Sequence, residues 1–489
     1  MSFTTLAFGL FFLATLAAHL ALPRRAAWQN AHLVASGIFF YFVCNPRFVP
    51  LLVLSTAVDY ALALDVDRHR HGPRRAKFGL ALSLAFNLGL LGYFKYAGFF
   101  ASTVDDVARL LGLATPLPVP RLALPLGISF FTFQKVGYLL DVYDGRIAPC
   151  RSALRFAAFV MFFPQLTAGP IARGDELLPQ LEAPRSLGPE RLRRGAMRFF
   201  AGFVKKAFVA DYLAQNLVDP AFADPARYGT AGLWIALAGY AAQVFCDFSG
   251  YTDMAIGCAV LLGVDLPENF NLPFLARSLL DFWRRWHITL NRWWFDYIYG
   301  RLTTGDGWFR GRLDAAFILV FLLSGLWHGP RWTFVAWGLL HGLGLVLNHQ
   351  WDERYRALCR RDRAWVARRK STAYQLTAWL LTQAFFVLSL VPFRAVTLGE
   401  AGAYARGLVT FRRGLTLPVD APRLRAVNLA LCLTFVVGLH VVESEAARSL
   451  RARFAAMPAV LRGVVYGIVT AWLMLFVPVT SGTFIYANF

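Results

Sequence analysis

The sequence predicts an all-α, polytopic integral membrane protein of about 11–13 helices, some broken or re-entrant, arranged around a central tunnel. Three observations carry that reading. Of 489 residues, 57% are hydrophobic and only 16% charged, where soluble domains average about 25% charged. Apolar windows recur along the whole chain with short basic stretches between them. One long apolar stretch is interrupted by His328-Gly329-Pro330, a break at membrane depth.

The windows run over 3–22, 30–44, 48–64, 78–100, 122–143, 153–168, 195–215, 230–263, 315–348, 373–392, 426–442 and 461–483. The first has no basic residues before it and is followed by Arg24 and Arg25, so it reads as a first span and not a cleaved signal peptide. Windows 30–44 and 48–64 carry the chain across and back, which puts Arg24/Arg25 and the basic loop 68–77 on one side. The positive-inside rule makes that side cytoplasmic, together with 185–206 and 352–370. The N-terminus, 45–47 and 101–121 then face out. Windows 230–263 and 315–348 are too long for single spans and are expected to be folded or broken. Within the first, Asp247, Ser249, Tyr251 and Asp253 read as a polar break, either a loop satisfying its own backbone or a tunnel wall. Spans at 373–489 complete the chain. The segment 394–425 fits badly: counting puts its arginines outside, so either a window is miscounted or the segment lies along a surface. No linker and no repeat of fixed period interrupts the chain, so residues 1–489 read as one membrane domain.

The net charge of +21 is explained by basic loops beside a lipid bilayer, without a nucleic-acid partner. Six scattered cysteines form no CxxC pair or ligand cluster, so neither a disulfide framework nor a metal site is expected.

Residues 279–348 gather the ionisable groups. Such groups cost roughly 2.5–3.5 kcal/mol each at the centre of a membrane helix, which makes them functional candidates. Asp281, Arg284, His287 and Asn291 are spaced to share one face of a helix over 279–297. Arg284 and Arg285 serve equally as interface anchors or as substrate contacts. The run 315–327 is too short to cross a bilayer and ends at His328, where Gly329 is read as a left-handed cap and Pro330 as a stop. A second apolar run, 333–347, follows. His328 is thus expected on a cavity wall at the break. His341 reads as a further lining residue or as a packed, hydrogen-bonded histidine. Gln165 is another candidate for the lining, beside the Gly169-Pro170 turn.

LPLGISFFTFQ (125–134), FFPQLTAGPIAR (162–173), DFSGYTDMAIG (247–257), LPENFNLPF (266–274), DFWRRWHITL (281–290) and GLWHG (325–329) stand in one order. In combination they resemble the membrane-bound O-acyltransferase family, and within it the bacterial branch typified by the alginate O-acetyltransferase membrane subunit. The resemblance spans roughly residues 30–350. It implies that His328 is catalytic and that His287 lies across the same tunnel. It departs from the family pattern after His287, where NRWWFDYIYGRLTTG replaces the usual run.

The chemistry agrees. O-acyl transfer needs a base near neutrality to take a hydroxyl proton, a role imidazole suits. The expected activity is transfer of an acyl group, acetyl by the resemblance, from a cytoplasmic thioester such as acetyl-CoA to an extracytoplasmic polysaccharide such as alginate. His328 acts as general base and His287 supports it, with no bound cofactor. Arg284, Arg285, Asn291, Asp247, Tyr251, Asp253, Gln165 and His341 are the candidate lining. The resemblance also implies a periplasmic hydrolase-like acetyltransferase partner and a multi-pass location in the cytoplasmic (inner) membrane. D-alanyl transfer to teichoic acid is an alternative within the family. Outside it, a secondary transporter or flippase would require paired breaks in both halves, and a non-catalytic scaffold of a polysaccharide synthase would make the histidine pair accidental.

Overall fold

The computed structural model describes residues 1–113, 122–305 and 307–411, with parts of 429–467. Among these the backbone is helical, with one isolated antiparallel bridge between Phe270 and Trp286. Four helical stretches, Pro46–Arg68, Arg74–Leu110, Thr230–Leu261 and Thr372–Arg394, are long and apolar enough to cross a bilayer, and Leu6–Ala21 and Leu313–His328 are shorter apolar helices. The chain is a polytopic all-α membrane protein. Of the window 426–442, residues 429–430 and 432–438 are described and helical, whereas 461–483 lies largely outside the described residues.

The basic segments meet at one end of the bundle. There Arg151 pairs with Asp67 at 3.0 Å, Arg191 with Asp265 at 2.9 Å and Arg301 with Asp144 at 2.6 Å. Arg185 donates to the Asn30 side chain at the same end, at 2.9 Å. The arginines of 394–406 sit at the opposite end. Arg394 pairs with Asp219 at 2.7 Å, and helix Leu398–Val409 lies against the start of Thr230–Leu261, where Tyr404 donates to the Leu233 carbonyl at 2.8 Å. This part of the badly fitting segment is a helix packed along that end; 412–425 lies outside the described residues.

Three expectations need correction. Thr230–Leu261 is one unbroken helix of 32 residues, not a folded or interrupted pair. Asp247 and Asp253 do not open its backbone, because cations from the preceding helical stretch reach them. Lys206 lies 2.5 Å from Asp247, while Lys205 and Arg198 lie 2.6 and 2.7 Å from Asp253. Paired carboxylates can stay in a helix that unpaired ones would force toward water. Close approach makes this possible: a Cβ on Gly202 would stand 2.4 Å from the Gly250 carbonyl oxygen.

The second correction concerns 279–297, which is not a single helix. Leu279–Arg285 ends, Trp286 is extended, and Ile288–Trp294 starts afresh. The polar stripe therefore does not exist as a face.

The stretch 315–348 is broken where expected. Leu313–His328 and Trp332–Arg361 form a hairpin around Gly329–Arg331. The second arm continues well past 347. The arms touch through glycines, since a Cβ on Gly325 would lie 2.3 Å from the Phe334 carbonyl oxygen and one on Gly338 2.3 Å from that of Phe321. Small residues at a membrane helix interface allow this backbone contact. Gly329 itself has φ 176°, extended and not left-handed. Its requirement is steric: a Cβ there would meet the Phe334 ring at 2.5 Å.

Candidate active site

The arm Leu313–His328 starts beside Asp314, which bonds His349 at 2.9 Å, and ends at His328 about 21 Å further on at 1.5 Å per residue. His328 thus sits deep in the bundle, 4% exposed. Its ring lies among aromatic walls, 5.1 Å from Trp327, 5.0 Å from Trp337 and 5.2 Å from Phe393, centroid to centroid.

The end of this arm is held by a second helix. Pro73–Leu91 passes through a π-turn over Gly92–Tyr96 into Ala97–Leu110. Such turns rotate side chains that a regular helix would aim elsewhere. Lys95 donates to the Trp327 carbonyl at 2.5 Å and to Ser129 Oγ at 3.3 Å, and Tyr96 donates to the Leu326 carbonyl at 2.8 Å. Carbonyls at a helix C-terminus lack partners of their own. A buried ammonium and a phenol supply them here, one and two residues before His328.

His287 occupies the other break, with φ 46° and ψ 52°. That left-handed conformation costs a residue bearing a Cβ about 1–2 kcal/mol, so neighbouring contacts must enforce it. Asn269 provides them. Its side-chain oxygen accepts from Thr289 N at 3.1 Å and Thr289 Oγ1 at 2.7 Å, while its carbonyl accepts from Ile288 N at 3.0 Å. The same side-chain oxygen accepts from His287 Nδ1 at 3.4 Å, which assigns that proton to Nδ1 and leaves a lone pair on Nε2. The bridge between Phe270 and Trp286 and the bond from Asn271 N to the Arg285 carbonyl at 2.9 Å complete the clamp. This is the structural work of LPENFNLPF.

His287 and His328 line one buried cavity of about 20 Å³, with Trp283, Trp286, Trp337 and Asn291. No carboxylate among the described residues lines it. The volume is that of a site holding one water, which needs about 10–15 Å³ on this measure.

Of the candidate lining residues, Asn291 is on the cavity and also donates to the Trp283 carbonyl at 2.9 Å and the Trp286 carbonyl at 2.5 Å, closing the first half-helix. The others are elsewhere. Arg284 is exposed, and Arg285 turns back to Asp281 at 2.9 Å. Asp247 and Asp253 are held by their ion pairs. The Tyr251 hydroxyl bonds Thr167, and its ring stacks on Phe3 at 4.7 Å. Gln165 donates to the Phe159 carbonyl at 2.7 Å. His341 lies one layer behind the cavity, 4.6 Å from the Trp337 ring, with Nε2 donating to Ser389 Oγ at 2.9 Å. Lys95 and Asn269 were missed. A lysine inside the apolar window 78–100 was the available signal for the first; nothing in the spacing pointed to the second.

A polytopic helical bundle that brings two histidines from two helix breaks onto one buried, tryptophan-walled cavity fits one class: a membrane-embedded catalyst of group transfer. The chain belongs to the membrane-bound O-acyltransferase family, whose signature matches residues 150–391. That match starts later than the sequence resemblance and reaches past the hairpin into Thr372–Arg394. Among its relatives is the probable alginate O-acetylase of Azotobacter vinelandii, 35% identical over 84% of this chain and 79% of that protein. The peptidoglycan O-acetyltransferase of Helicobacter pylori is 35% identical over 80% and 75%. The teichoic acid D-alanyltransferase of Bacillus subtilis is 31% identical over 48% and 62%. The protein is an O-acyltransferase.

Proposed function

We propose that the chain takes an acyl group, acetyl in the first instance, from acetyl-CoA or another cytoplasmic thioester and passes it to a hydroxyl acceptor on the opposite face. A polysaccharide such as alginate is the final recipient. The single observation supporting this is the meeting of His287 and His328 on one buried cavity, each at the end of a broken helix.

In this reading His328 is the general base. The acceptor oxygen attacks the thioester carbonyl, its proton passes to the imidazole, the C–S bond breaks, and the thiolate leaves and recovers the proton. A positioned base of this kind contributes about 10²–10⁴-fold. His287, its Nδ1 proton fixed by Asn269, orients the reacting carbonyl or the base. The aromatic walls exclude bulk water and so protect the activated acyl group from hydrolysis. A cavity the size of one water must widen for an acyl donor, and Trp283, Trp286 and Phe393 are the side chains in the way.

The chain would work in the cytoplasmic membrane with a periplasmic hydrolase-like acetyltransferase that completes transfer to polymer. The names of the first two relatives favour acetyl over D-alanyl. Purified protein given radiolabelled acetyl-CoA should release free CoA, and His328→Ala should lower that turnover by at least 10²-fold. Unchanged turnover in His328→Ala would remove the assigned base.

A further inference from the structure

The indole N–H groups of this chain fall into two sets. Trp234, Trp293 and Trp379 donate to the carbonyls of Leu408, Phe133 and Phe274 at 3.1, 2.8 and 2.7 Å, and Trp351 bonds the Tyr374 hydroxyl at 3.2 Å. Trp283, Trp294, Trp327 and Trp337 are buried, and their N–H groups have no acceptor among the described residues. A buried indole ordinarily finds an acceptor, and a buried donor without one lowers stability, so each such group needs a reason. Two of the four, Trp283 and Trp337, wall the histidine cavity.

Trp337 is the better placed of the two. Its ring stands 5.0 Å from the His328 ring at 83°, and 5.8 Å from the Trp283 ring at 85°. Trp283 has to give way to an acyl donor. The Trp337 backbone is locked instead, because a Cβ on the neighbouring Gly338 would stand 2.3 Å from the Phe321 carbonyl oxygen, on the arm that carries His328. An acceptor nearby goes unused: Nδ1 of His341, one helical turn on, is buried and without a partner as well. The faces of perpendicular rings are only weak acceptors.

The reaction proposed above gathers charge in this cavity. As the acceptor hydroxyl attacks, a C–O bond forms, its proton passes to His328 and the carbonyl π pair moves onto oxygen. As the C–S bond breaks, that pair returns and the thiolate takes the proton. Donors fixed in advance where such charge develops stabilise it strongly in a site without bulk water. Much of the other polar wall is committed. Asn291 Nδ2 serves the carbonyls of Trp283, Trp286 and His287 at 2.9, 2.5 and 3.2 Å. His287 Nε2 carries a lone pair, as a general base must too, and a lone pair does not donate.

We propose that the Trp337 indole N–H donates to the acyl carbonyl oxygen and holds the negative charge that develops there, which makes Trp337 a catalytic residue. The proposal rests on the acyl-transfer reading above and deepens it.

The test replaces Trp337 by benzothienylalanine, its isostere with sulfur in place of N–H, in the full chain in detergent. The kcat for CoA release from acetyl-CoA should fall about 10²–10³-fold, the effect of removing one such donor, with KM within a factor of about two. Tm should hold or rise, since the group removed has no acceptor to lose. The same replacement at Trp379, whose N–H does have an acceptor, should lower Tm and leave kcat near wild type. A readout without turnover is the carbonyl stretch of a ¹³C-labelled ketone analogue of acetyl-CoA. It should move to lower frequency on binding, and the Trp337 isostere should lose most of that shift. An unchanged kcat, a Tm that falls together with kcat, or an equal carbonyl shift in both proteins would overturn the proposal. Where His328→Ala abolishes turnover and the isostere does not, the donor is wrong and the base stands. Where His328→Ala keeps turnover while the isostere loses both rate and shift, the base is wrong and the donor stands.

Discussion

The Lys95 ammonium donates to the carbonyl of Trp327 at 2.5 Å, so a buried cation from one helix fixes the last turn of another immediately before His328. Hydrogen bonds from charged donors contribute about 1.5–3 kcal/mol, and here that energy holds geometry more than it holds the fold. Lys95→Met keeps the apolar stem and removes the donor. We expect kcat for thioester turnover to fall about 10–100-fold, the equivalent of that energy, with KM for acetyl-CoA within a factor of two or so. Thermal unfolding monitored alongside separates this from global loss of structure. A KM that rises in step with the fall in kcat would show that Lys95 binds donor instead of positioning the base.

His287 pays for its left-handed backbone with help from Asn269, and the two can be separated. Asparagine tolerates that region better than most residues. His287→Asn should therefore fold, with Tm lowered by only a few degrees, while turnover drops by 10² or more. Asn269→Ala should lose both stability and turnover. It removes the acceptor for His287 Nδ1 together with those for Thr289 N and Oγ1, and the expected cost is about 2–3 kcal/mol of stability. Measured Tm and specific activity on both variants decide the matter; an Asn269→Ala protein of unchanged stability would mean that something else holds the turn.

What the sequence disclosed and what it hid follow from the range of the forces involved. The break at His328 was visible because glycine and proline act locally on the backbone, and the meeting of His287 and His328 was implied only by the family resemblance. The break at His287 was not visible. No glycine or proline marks it, and the clamp comes from Asn269, which only the folded chain brings alongside. Asp247 and Asp253 misled for a related reason. A carboxylate in an apolar window signals a gap in the helix or a tunnel wall unless a cation reaches it, and Lys205 and Lys206 are distant in sequence from the carboxylates they neutralise. Arg284 and Arg285 looked like site residues because charge near an aromatic cluster is scarce; in the fold Arg284 is exposed and Arg285 turns back to Asp281, and neither lines the cavity.

The ion pair at Asp247 offers a direct comparison with the histidine cavity. Removing one member of a buried pair costs about 3–5 kcal/mol where the other is left uncompensated, but Lys206 also holds Asp211 at 2.7 Å, so the loss here is smaller. Asp247→Ala should consequently lower Tm and yield, yet the folded fraction should turn over thioester at near wild-type rate, because Asp247 does not line the cavity. A folded variant with normal Tm and lost turnover would return Asp247 to the substrate path.

Gly329 and Phe334 provide the last and most local measurement. A methyl group at 329 would come within 2.5 Å of the Phe334 ring, and that ring stands 6.3 Å from His328 and 5.3 Å from Phe393. Gly329→Ala must then displace either the ring or the turn that carries His328, and overpacking of this kind costs about 1–3 kcal/mol. Phe334→Leu alone should lose a comparable amount by leaving space. Together the two changes should relieve each other, since the smaller side chain makes room for the new methyl. The double variant should recover at least half of the turnover lost in Gly329→Ala, with a coupling energy of about 0.5–3 kcal/mol between neighbours in contact. Strict additivity of the two losses would mean that the glycine serves backbone freedom and not the fit against the ring, and the extended φ of 176° argues against that outcome.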